Sequence, residues 1–350
     1  MNKKTKILSG VIIIIFSLLI LCFPKISKEG ITRGLMISSN VIIPSLFPFM
    51  VCVSMIIKYG LSIKNTLFNK VIYKLFGHTF DMFLTFLLSL IGGYPIGAKL
   101  VNDLYNSNLI DKKTADIMLV YCVNAGPAFI ISVVGGTLVS EAIGTVLFIS
   151  HILSSVILAL VFANKLKKST KPINNKINKP SLFSEIFVQS VGDACESIVK
   201  ICSFIVLFSA IIAYFDYFSH NMTIIKNVSL FLEVTSAVYK TKNVYFISFL
   251  LGFSGISIWC QIFALSKSRK INYKMFVFGR ILHGALSALI TKILLKFLKV
   301  KVATFSNGTV LKNDYLYSDV TLLISIVIML VVFLIFIYTK NSGKFINDVI

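Results

Sequence analysis

The chain has 350 residues, of which 56% are hydrophobic and 14% are charged, and its formal net charge is +21. Soluble domains are about 45–50% apolar and about 25% charged, so this composition excludes a soluble core and indicates an integral membrane protein. The positive charge does not indicate a nucleic-acid reader, because most lysines lie in short polar links between apolar runs, where they fix the orientation of a membrane protein.

Apolar runs that cross or nearly cross about 30 Å of hydrocarbon recur along the chain. They lie at 7–23, 41–57, 82–98, 116–139, 142–163, 198–218, 244–265, 275–298 and 320–338. The first run follows MNKKTK, lacks a small-x-small cleavage site, and has Leu21 before Cys22, where a lipid-attachment box would need a smaller residue. It is therefore predicted to be a retained span with its lysines in the cytoplasm.

The run at 82–98 contains an interruption that an ordinary membrane helix would not carry. It consists of Gly92, Gly93, Tyr94 and Pro95, and Lys99 follows it. Unpaired backbone groups in hydrocarbon are costly, so such a break is tolerated only inside protein or against a wet cavity. A re-entrant hairpin that turns at GGYPIG fits this chemistry. It also fits the basic links, because 142–163 returns to the cytoplasm only if 82–98 does not cross.

The basic link at 164–182 carries six lysines, two prolines and no acidic residue, which is typical of a cytoplasmic connection. It is interpreted as the midpoint of the chain. The predicted divisions are an N-terminal membrane anchor at 1–30, a first repeat at 31–163, a basic cytoplasmic linker with an amphipathic helix at 164–197, a second repeat at 198–300, and a loop with a C-terminal membrane helix at 301–350.

Two stretches, 86–113 and 249–274, share an order of features. Each opens with F-L-L and a small residue, has a glycine three positions later (Gly92 and Gly255), and runs into a short polar turn. Three crossings in the first unit would invert the second, and inverted repeats with broken helices at the midplane are typical of secondary transporters. The sequence therefore predicts an all-α polytopic membrane protein with inverted repeats, two broken or re-entrant helical hairpins and about 8 transmembrane helices.

Polar residues inside apolar runs are costly and are therefore candidates for a solute site, with a purely structural role as the alternative for each. They are Lys99, Asn124, Glu233, Thr235, Ser254, Gln261, Arg280 and His283, together with the residues of the breaks, Gly92, Gly93, Tyr94, Pro95 and Gly255. Half-helix N-termini hold anions, Lys99 adds charge unless it pairs with Asp103, and Arg280 can bind a carboxylate bidentately. Asp103, Asp193 and Glu233 are candidates for coupling to protons or sodium.

Several motifs resemble the sporulation integral membrane proteins of the YlbJ type, which carry nucleoside-recognition (Gate) domains. They are GGYPIGAK at 92–99, N-x-G-P at 124–127, E-V-T at 233–235, and G-F-S-G followed by R-I-L-H at 280–283. The resemblance implies two Gate-like repeats in a multi-pass protein of the cell membrane or outer forespore membrane, which moves dipicolinic acid, an aromatic dianion, into the developing spore. The implied partners are a small anionic solute, membrane lipid, and a second copy or other sporulation membrane proteins.

Three other functions stay open. The chain could transport a nucleoside or another small solute, or it could be a non-transporting scaffold or channel component. GFSG also matches rhomboid intramembrane proteases, with Ser254 as nucleophile and His283 as base. The rhomboid pattern also requires an H-x-x-x-N motif and a further span between serine and histidine, and this chain has neither. No enzyme is therefore expected. Histidine and cysteine spacings predict no metal site and no cofactor.

Overall fold

The computed structural model describes residues 3–58, 67–138, 141–167, 182–218, 223–266 and 270–298, and every regular element in these ranges is helical. The helices are α1 (Lys3–Cys22), α2 (Pro24–Ile37), α3 (Ile43–Lys58), α4 (Leu67–Phe76), α5 (Phe80–Gly92), α6 (Tyr94–Asn106), α7 (Lys112–Tyr121), α8 (Gly135–Thr137), α9 (Glu141–Lys167), α10 (Phe183–Phe218), α11 (Thr223–Leu232), α12 (Val234–Lys240), α13 (Val244–Phe253), α14 (Ile256–Leu265) and α15 (Tyr273–Leu298), with π-helical stretches at Ser38–Ile42 and Ala128–Val134. The all-α prediction is confirmed for these ranges. The predicted loop and span at 301–350 and most of the basic linker lie outside them.

Five helical segments of the described chain are long and apolar enough to cross a membrane, or six if a bent pair counts as one span. The five are Pro24–Ile56, Ala142–Leu166, Phe183–Phe218, Val244–Leu265 and Tyr273–Phe297. The bent pair is Asn69–Phe76 with Phe80–Gly92, at 71°. The prediction of a polytopic membrane protein is therefore confirmed, while the larger number of spans expected from the sequence is not reached within the described residues.

The first predicted hairpin is formed by α5 and α6, which pack against each other. The helix α5 begins after Thr79, whose side chain accepts a hydrogen bond from the Met82 amide, and it ends at Gly92. Gly93 follows with a φ of 84° and a ψ of 173°, which is a conformation open almost only to glycine. Pro95 lies in the first turn of α6, where no backbone N–H is required. The chain therefore turns back at the predicted place.

The run at 116–139, which the sequence predicts as one crossing segment, is interrupted in the structure. The helix α7 ends at Tyr121, and helical structure resumes only at Pro127. Asn124 closes the end of α7, because its Nδ2 donates to the Tyr121 carbonyl at 2.7 Å. Pro127 has no N–H to donate to a continuing helix. Two short helical segments with a non-helical break between them therefore replace the predicted span.

The second half also contains a folded-back pair, but it precedes the predicted one. The helices α11 and α12 separate at Glu233, and Lys240 Nζ lies 3.3 Å from Ser229 Oγ, 11 residues earlier in the chain. Eleven residues of straight helix would place their backbones about 16 Å apart, so α12 turns back on α11. By contrast, α13 and α14 together form one candidate span, Val244–Leu265. The prediction of a re-entrant hairpin within 249–274 is corrected accordingly.

The order of elements recurs with a different alignment from the predicted one. The pair α5–α6, the broken segment from α7 to α8, and α9 correspond to α11–α12, α13–α14 and α15. Both α7 and α13 have 10 residues, and they follow Asp111 and Asn243, whose side chains each accept from the amide three residues on. These caps are 132 residues apart, as are His151 in α9 and His283 in α15. This alignment replaces the pairing of 86–113 with 249–274.

The long helix α10 forms a frame for both halves together with α2 and α3, against which it packs. It starts at Phe183 and continues past the predicted boundary at residue 198 without interruption. The approach of α2 depends on Gly30 and Gly34, since a Cβ on either would lie 2.7 Å from a Cα atom of α10. Small residues permit such close contacts between membrane helices. The hairpin α5–α6 contacts α3, and α11 contacts α10.

Candidate functional site

The breaks in the helices meet in two pairs. A Cβ on Gly126 would lie 3.6 Å from the Gly93 Cα, and a Cβ on Gly255 would lie 3.4 Å from the Glu233 Cα. Gly255, like Gly93, has a positive φ, at 80°. The helix α6 and the segment that starts at Pro127 begin at the first pair, and α14 begins at the second. The N–H groups at such helix starts carry partial positive charge.

Arg280 lies between the carbonyl ends of two interrupted helices. Its Nη1 donates to the Val123 carbonyl at 2.6 Å and its Nη2 donates to the Val120 carbonyl, both at the end of α7. The Gly252 carbonyl near the end of α13 lies 3.4 Å from Nη1. The side chain is fully buried. A cation is stabilised there by the unpaired carbonyls of the helix ends. In this closed arrangement, backbone carbonyls therefore occupy the place of the carboxylate that the sequence predicts.

The carbonyl end of α13 is also bound by side chains from other elements. Tyr94 of the first hairpin donates from its hydroxyl to the Leu251 carbonyl at 2.7 Å, and Trp259 donates from Nε1 to the Phe253 carbonyl at 2.9 Å. The Ser254 hydroxyl donates to the same Phe253 carbonyl at 2.6 Å. The tip of the first hairpin is thus attached to the broken helix of the second half.

Asn124 connects the break after α7 to the first hairpin. Its Nδ2 donates to the Ser89 hydroxyl of α5 at 3.1 Å as well as to Tyr121. The Tyr121 carbonyl also accepts a hydrogen bond of 2.7 Å from Ser155 of α9. The side chain of Asn124 is fully buried. Asn124 thus lies at the break after α7, and its amide group holds the end of α7 and the first hairpin together.

His283 stacks on His151, with ring centroids 4.5 Å apart and an interplanar angle of 29°. The Ala125 amide donates to His151 Nε2 at 3.1 Å, and His283 Nε2 lies 3.2 Å from the His151 carbonyl. Both rings are fully buried. His283 is a candidate site residue from the sequence, whereas His151 is not among those candidates. The signal that could have found it is H-x-x-x-S, which occurs once in α9 (HILSS) and once in α15 (HGALS).

Four buried polar atoms of this cluster have no hydrogen-bond partner within the described ranges. They are Asn124 Oδ1, His151 Nδ1, Arg280 Nε and His283 Nδ1. Two of them belong to residues whose other polar atoms hold the helix ends together. An unpaired buried donor or acceptor costs about 1–3 kcal/mol, so these atoms are the groups that a bound polar solute would satisfy. We call these four residues the central cluster.

Lys99 lies outside the central cluster. Its Nζ donates to the Ser54 hydroxyl of α3 at 2.7 Å and to Asp103 at 2.6 Å, and the residue is only 4% exposed. The pairing with Asp103, which the sequence suggested as an alternative, is therefore present. Gln261 is also separate: it lies in the interior of α14, where its Nε2 is 3.4 Å from Ser257 Oγ. The hydrogen bonds of Lys99 and Gln261 therefore go to residues other than those that Arg280 binds.

Glu233 and Thr235 lie at the second pair of breaks, where both are half-buried. Ser254 immediately precedes Gly255 of this pair and has a left-handed backbone conformation with a φ of 70°. Its hydroxyl binds the Phe253 carbonyl, while His283 binds the His151 carbonyl. The two side chains that would form a rhomboid-like dyad thus use other partners.

The central cluster is closed in this structure, since its four side chains have no exposed surface. A large apolar groove lies elsewhere, between α1, α2 and α10. Access to the central cluster therefore requires a rearrangement of the surrounding helices.

These features define a helical, polytopic membrane protein in which two sets of broken helices enclose a buried polar cluster. No protein-family model and no solved structure matches the chain. The chain is similar to the sporulation integral membrane protein YlbJ of Bacillus subtilis (strain 168), with 22% identity over an alignment that covers 85% of this chain and 84% of that protein. The similarity supports the resemblance that the sequence motifs indicate.

Proposed function

We propose that the chain is a membrane transporter that moves a small organic anion by alternating access around the central cluster. The observation that carries this proposal is Arg280, a fully buried cation whose partners are helix-end carbonyls and whose Nε has no partner in the described ranges. Ionisable residues inside membrane spans are costly and mark solute or ion paths. A buried arginine in a polar, closed cluster fits a solute path better than a lipid-facing scaffold.

The recurring order of elements supports alternating access. Each unit contributes a frame helix (α3 or α10), a folded-back hairpin, a broken helix and a long helix. If the hairpins do not cross, each unit has three crossings, and an odd number places the second unit upside down relative to the first. Two such units can rock about the central cluster and open it to either side.

Dipicolinic acid is the proposed solute, as the resemblance of the sequence motifs implies. The proposed setting is spore formation, since the name of the Bacillus subtilis relative mentions sporulation. Dipicolinate carries two carboxylates on a rigid ring. One carboxylate can pair with the Arg280 guanidinium once the carbonyls release it, and the second can bind the N–H groups at a helix start. A location in the outer forespore membrane, and a second copy or other sporulation membrane proteins as partners, belong to the same proposal.

The test is uptake of labelled dipicolinate and a labelled nucleoside, side by side, into vesicles that contain the full chain. We expect dipicolinate uptake, and a loss of at least about tenfold in the Arg280→Lys variant, because a lysine keeps the charge but not the planar fork. Arg33→Gln is the matched control, since Arg33 is exposed on α2. Size-exclusion profiles and the fluorescence of the single tryptophan show whether each variant is folded.

The outcomes separate the competing functions. Uptake of the nucleoside alone would overturn the choice of an anion, and uptake of neither solute would favour a scaffold or channel component. A Ser254→Ala variant that loses a proteolytic activity while the wild type shows no uptake would favour the rhomboid-like alternative. If Arg280→Lys and Arg33→Gln transport equally well, the central cluster is not the solute site.

A further inference from the structure

The contact between His151 and His283 marks a special position in the fold. Each residue lies 10 positions after the first residue of its helix, α9 or α15, and the two are equivalent in the repeat. When equivalent residues of two related units touch each other, the axis that relates the units passes between them. The stacked rings therefore lie where the two halves of the molecule meet.

The contacts of the two rings fix their protonation. Because the Ala125 amide can only donate, His151 Nε2 accepts, and the proton of this neutral ring lies on Nδ1. Because the His151 carbonyl can only accept, His283 Nε2 donates, and its Nδ1 carries a lone pair. Both Nδ1 atoms are buried without a partner in the described ranges. The pair therefore holds one unused acceptor, His283 Nδ1, which can take up a proton.

The Arg280 cation is the charge that acts on this pair. Arg280 precedes His283 by three residues on α15, so both side chains share a helix face. The groups that act electrostatically on the rings are Arg280 and, for His283, also His151. A proton on the pair would place a second positive charge next to the buried guanidinium, and like charges repel strongly where water is excluded. Protonation of the pair and the closed position of Arg280 therefore oppose each other.

Other titratable groups near α9 and α15 do not share this relation. The helices packed against them are α4, α7 and α13, along with the segment from Ala128 to α8. Their titratable or charged residues are the buried Tyr121 and Asp116 of α7 with the adjacent Cys122, the exposed Lys112 and Lys113 of α7, the exposed Lys70, Tyr73 and Lys74 of α4, and the exposed Tyr245 of α13. None of these is among the groups that act on the two rings.

We propose that the His151–His283 pair is a proton-binding site, and that a proton taken from the aqueous side by His283 Nδ1 releases Arg280 from the helix-end carbonyls and opens the central cluster. One N–H bond forms, and the proton leaves as the pair returns to the neutral, closed arrangement. This proposal deepens the proposed function, on which its transport step rests, and it names the proton as the coupling ion.

A test without any solute uses Trp259, the single tryptophan of the chain. Its Nε1 donates to the Phe253 carbonyl, next to the Gly252 carbonyl that Arg280 contacts. We expect the tryptophan fluorescence of the full chain in lipid nanodiscs to change as the pH is lowered from about 7 to about 4, because a buried histidine pair next to a cation takes up a proton at lower pH than a free histidine does. The change is expected to disappear in His283→Gln and His151→Gln, whose amides keep the hydrogen bonds but take up no proton. His78→Gln, which removes a buried histidine outside the pair, is expected to keep it.

The transport test compares two assays with labelled dipicolinate. With a pH gradient across the vesicle, we expect His283→Gln to accumulate about tenfold less than the wild type, in line with couplings of roughly 5–150-fold. Exchange at equal pH on both sides is expected to rise in the wild type as the pH is lowered, because the proton opens the central cluster, and to be low and independent of pH in His283→Gln. Exchange in His283→Gln that keeps the pH dependence of the wild type would overturn the proposal.

The two proposals fail separately. A fluorescence change that depends on both histidines, without uptake of any solute, would support the proton site and overturn the proposed transport function. Uptake that does not depend on the pH gradient, or a wild-type fluorescence that is constant from about pH 7 to about pH 4, would overturn the proton site and leave the proposed transport function standing. A fluorescence change that disappears equally in His78→Gln also overturns the proton site.

Discussion

Replacement of Gly97 by alanine tests whether the first hairpin is seated on the break after α7. A Cβ on Gly97 would lie 1.7 Å from the Cys122 carbonyl oxygen and 2.8 Å from the Ser89 Cβ. The carbonyl belongs to the backbone and cannot turn away as a flexible side chain can. Ordinary contacts lie near about 3.5 Å, so α6 and the break must separate by about 1–2 Å.

The expected magnitude follows from two opposing terms. Overpacking of a close contact typically costs about 1–3 kcal/mol. Alanine in place of glycine inside a helix returns about 0.5–1 kcal/mol. Because the obstacle here is backbone, the cost is expected near the upper end, and Gly97→Ala should lower the free energy of unfolding by about 1–2 kcal/mol.

Cys122 itself provides the assay, because it is fully buried beside the contact. In a chain whose five other cysteines are replaced, Gly97→Ala should raise the rate of Cys122 modification by about 5–30-fold, the factor that 1–2 kcal/mol represents. Gly192→Ala in α10 is the control, since nothing lies within 4 Å of its added Cβ. If Gly97→Ala protects Cys122 as well as the control does, and unfolds at the same temperature, the seating of the hairpin is not as described.

Two further predictions concern the hairpin ion pair and the second break. Lys99→Met should destabilise the fold by about 1–3 kcal/mol, because it leaves the Asp103 carboxylate without its ion pair. The double variant with Asp103→Asn should recover part of that loss in thermal unfolding, whereas strictly additive effects of the two substitutions would contradict a direct pair. Gly255→Ala should lower the free energy of unfolding by about 1–3 kcal/mol, because the φ of Gly255 is 80°. Gly136→Ala is the control and should lower it less, since there is open space at its added Cβ. Equal unfolding temperatures of the two variants would show that the break tolerates a side chain.

The first hairpin could be predicted from the sequence because its chemistry is local. Two glycines and a proline within four residues prevent a continuous helix wherever they occur, and Gly93 and Pro95 have the conformational roles that these residue types allow. The break at Glu233 has no such signature. An acidic residue in an apolar run predicts a buried charge or an interface residue, not the end of a helix. Only the structure, with Gly255 packed against Glu233, shows that α11 ends there.

The alignment of the repeat was mistaken for a related reason. F-L-L with a small residue occurs at 86 in a hairpin helix and at 249 in a broken span, so the match joined elements with different roles. Apolar segments match each other readily because few residue types fill them. The polar caps Asp111 and Asn243 and the two histidines carry the correct register, since such residues are rare in these segments and each has a defined hydrogen-bonding role.

The partners of Arg280 could not be predicted from residue types, because they are backbone carbonyls 28 to 160 residues away. That arrangement has a consequence for selectivity. A solute must displace hydrogen bonds from a cation to neutral carbonyls, each of which contributes about 1.5–3 kcal/mol. A solute hydroxyl accepts a hydrogen bond from the guanidinium that is no stronger than the bond to the carbonyl it replaces. A carboxylate accepts two parallel, charge-assisted hydrogen bonds, each of about twice that strength. Under the proposed function, we therefore expect the closed cluster to favour an organic acid over a nucleoside hydroxyl, which is the physical reason to propose an anion at this site.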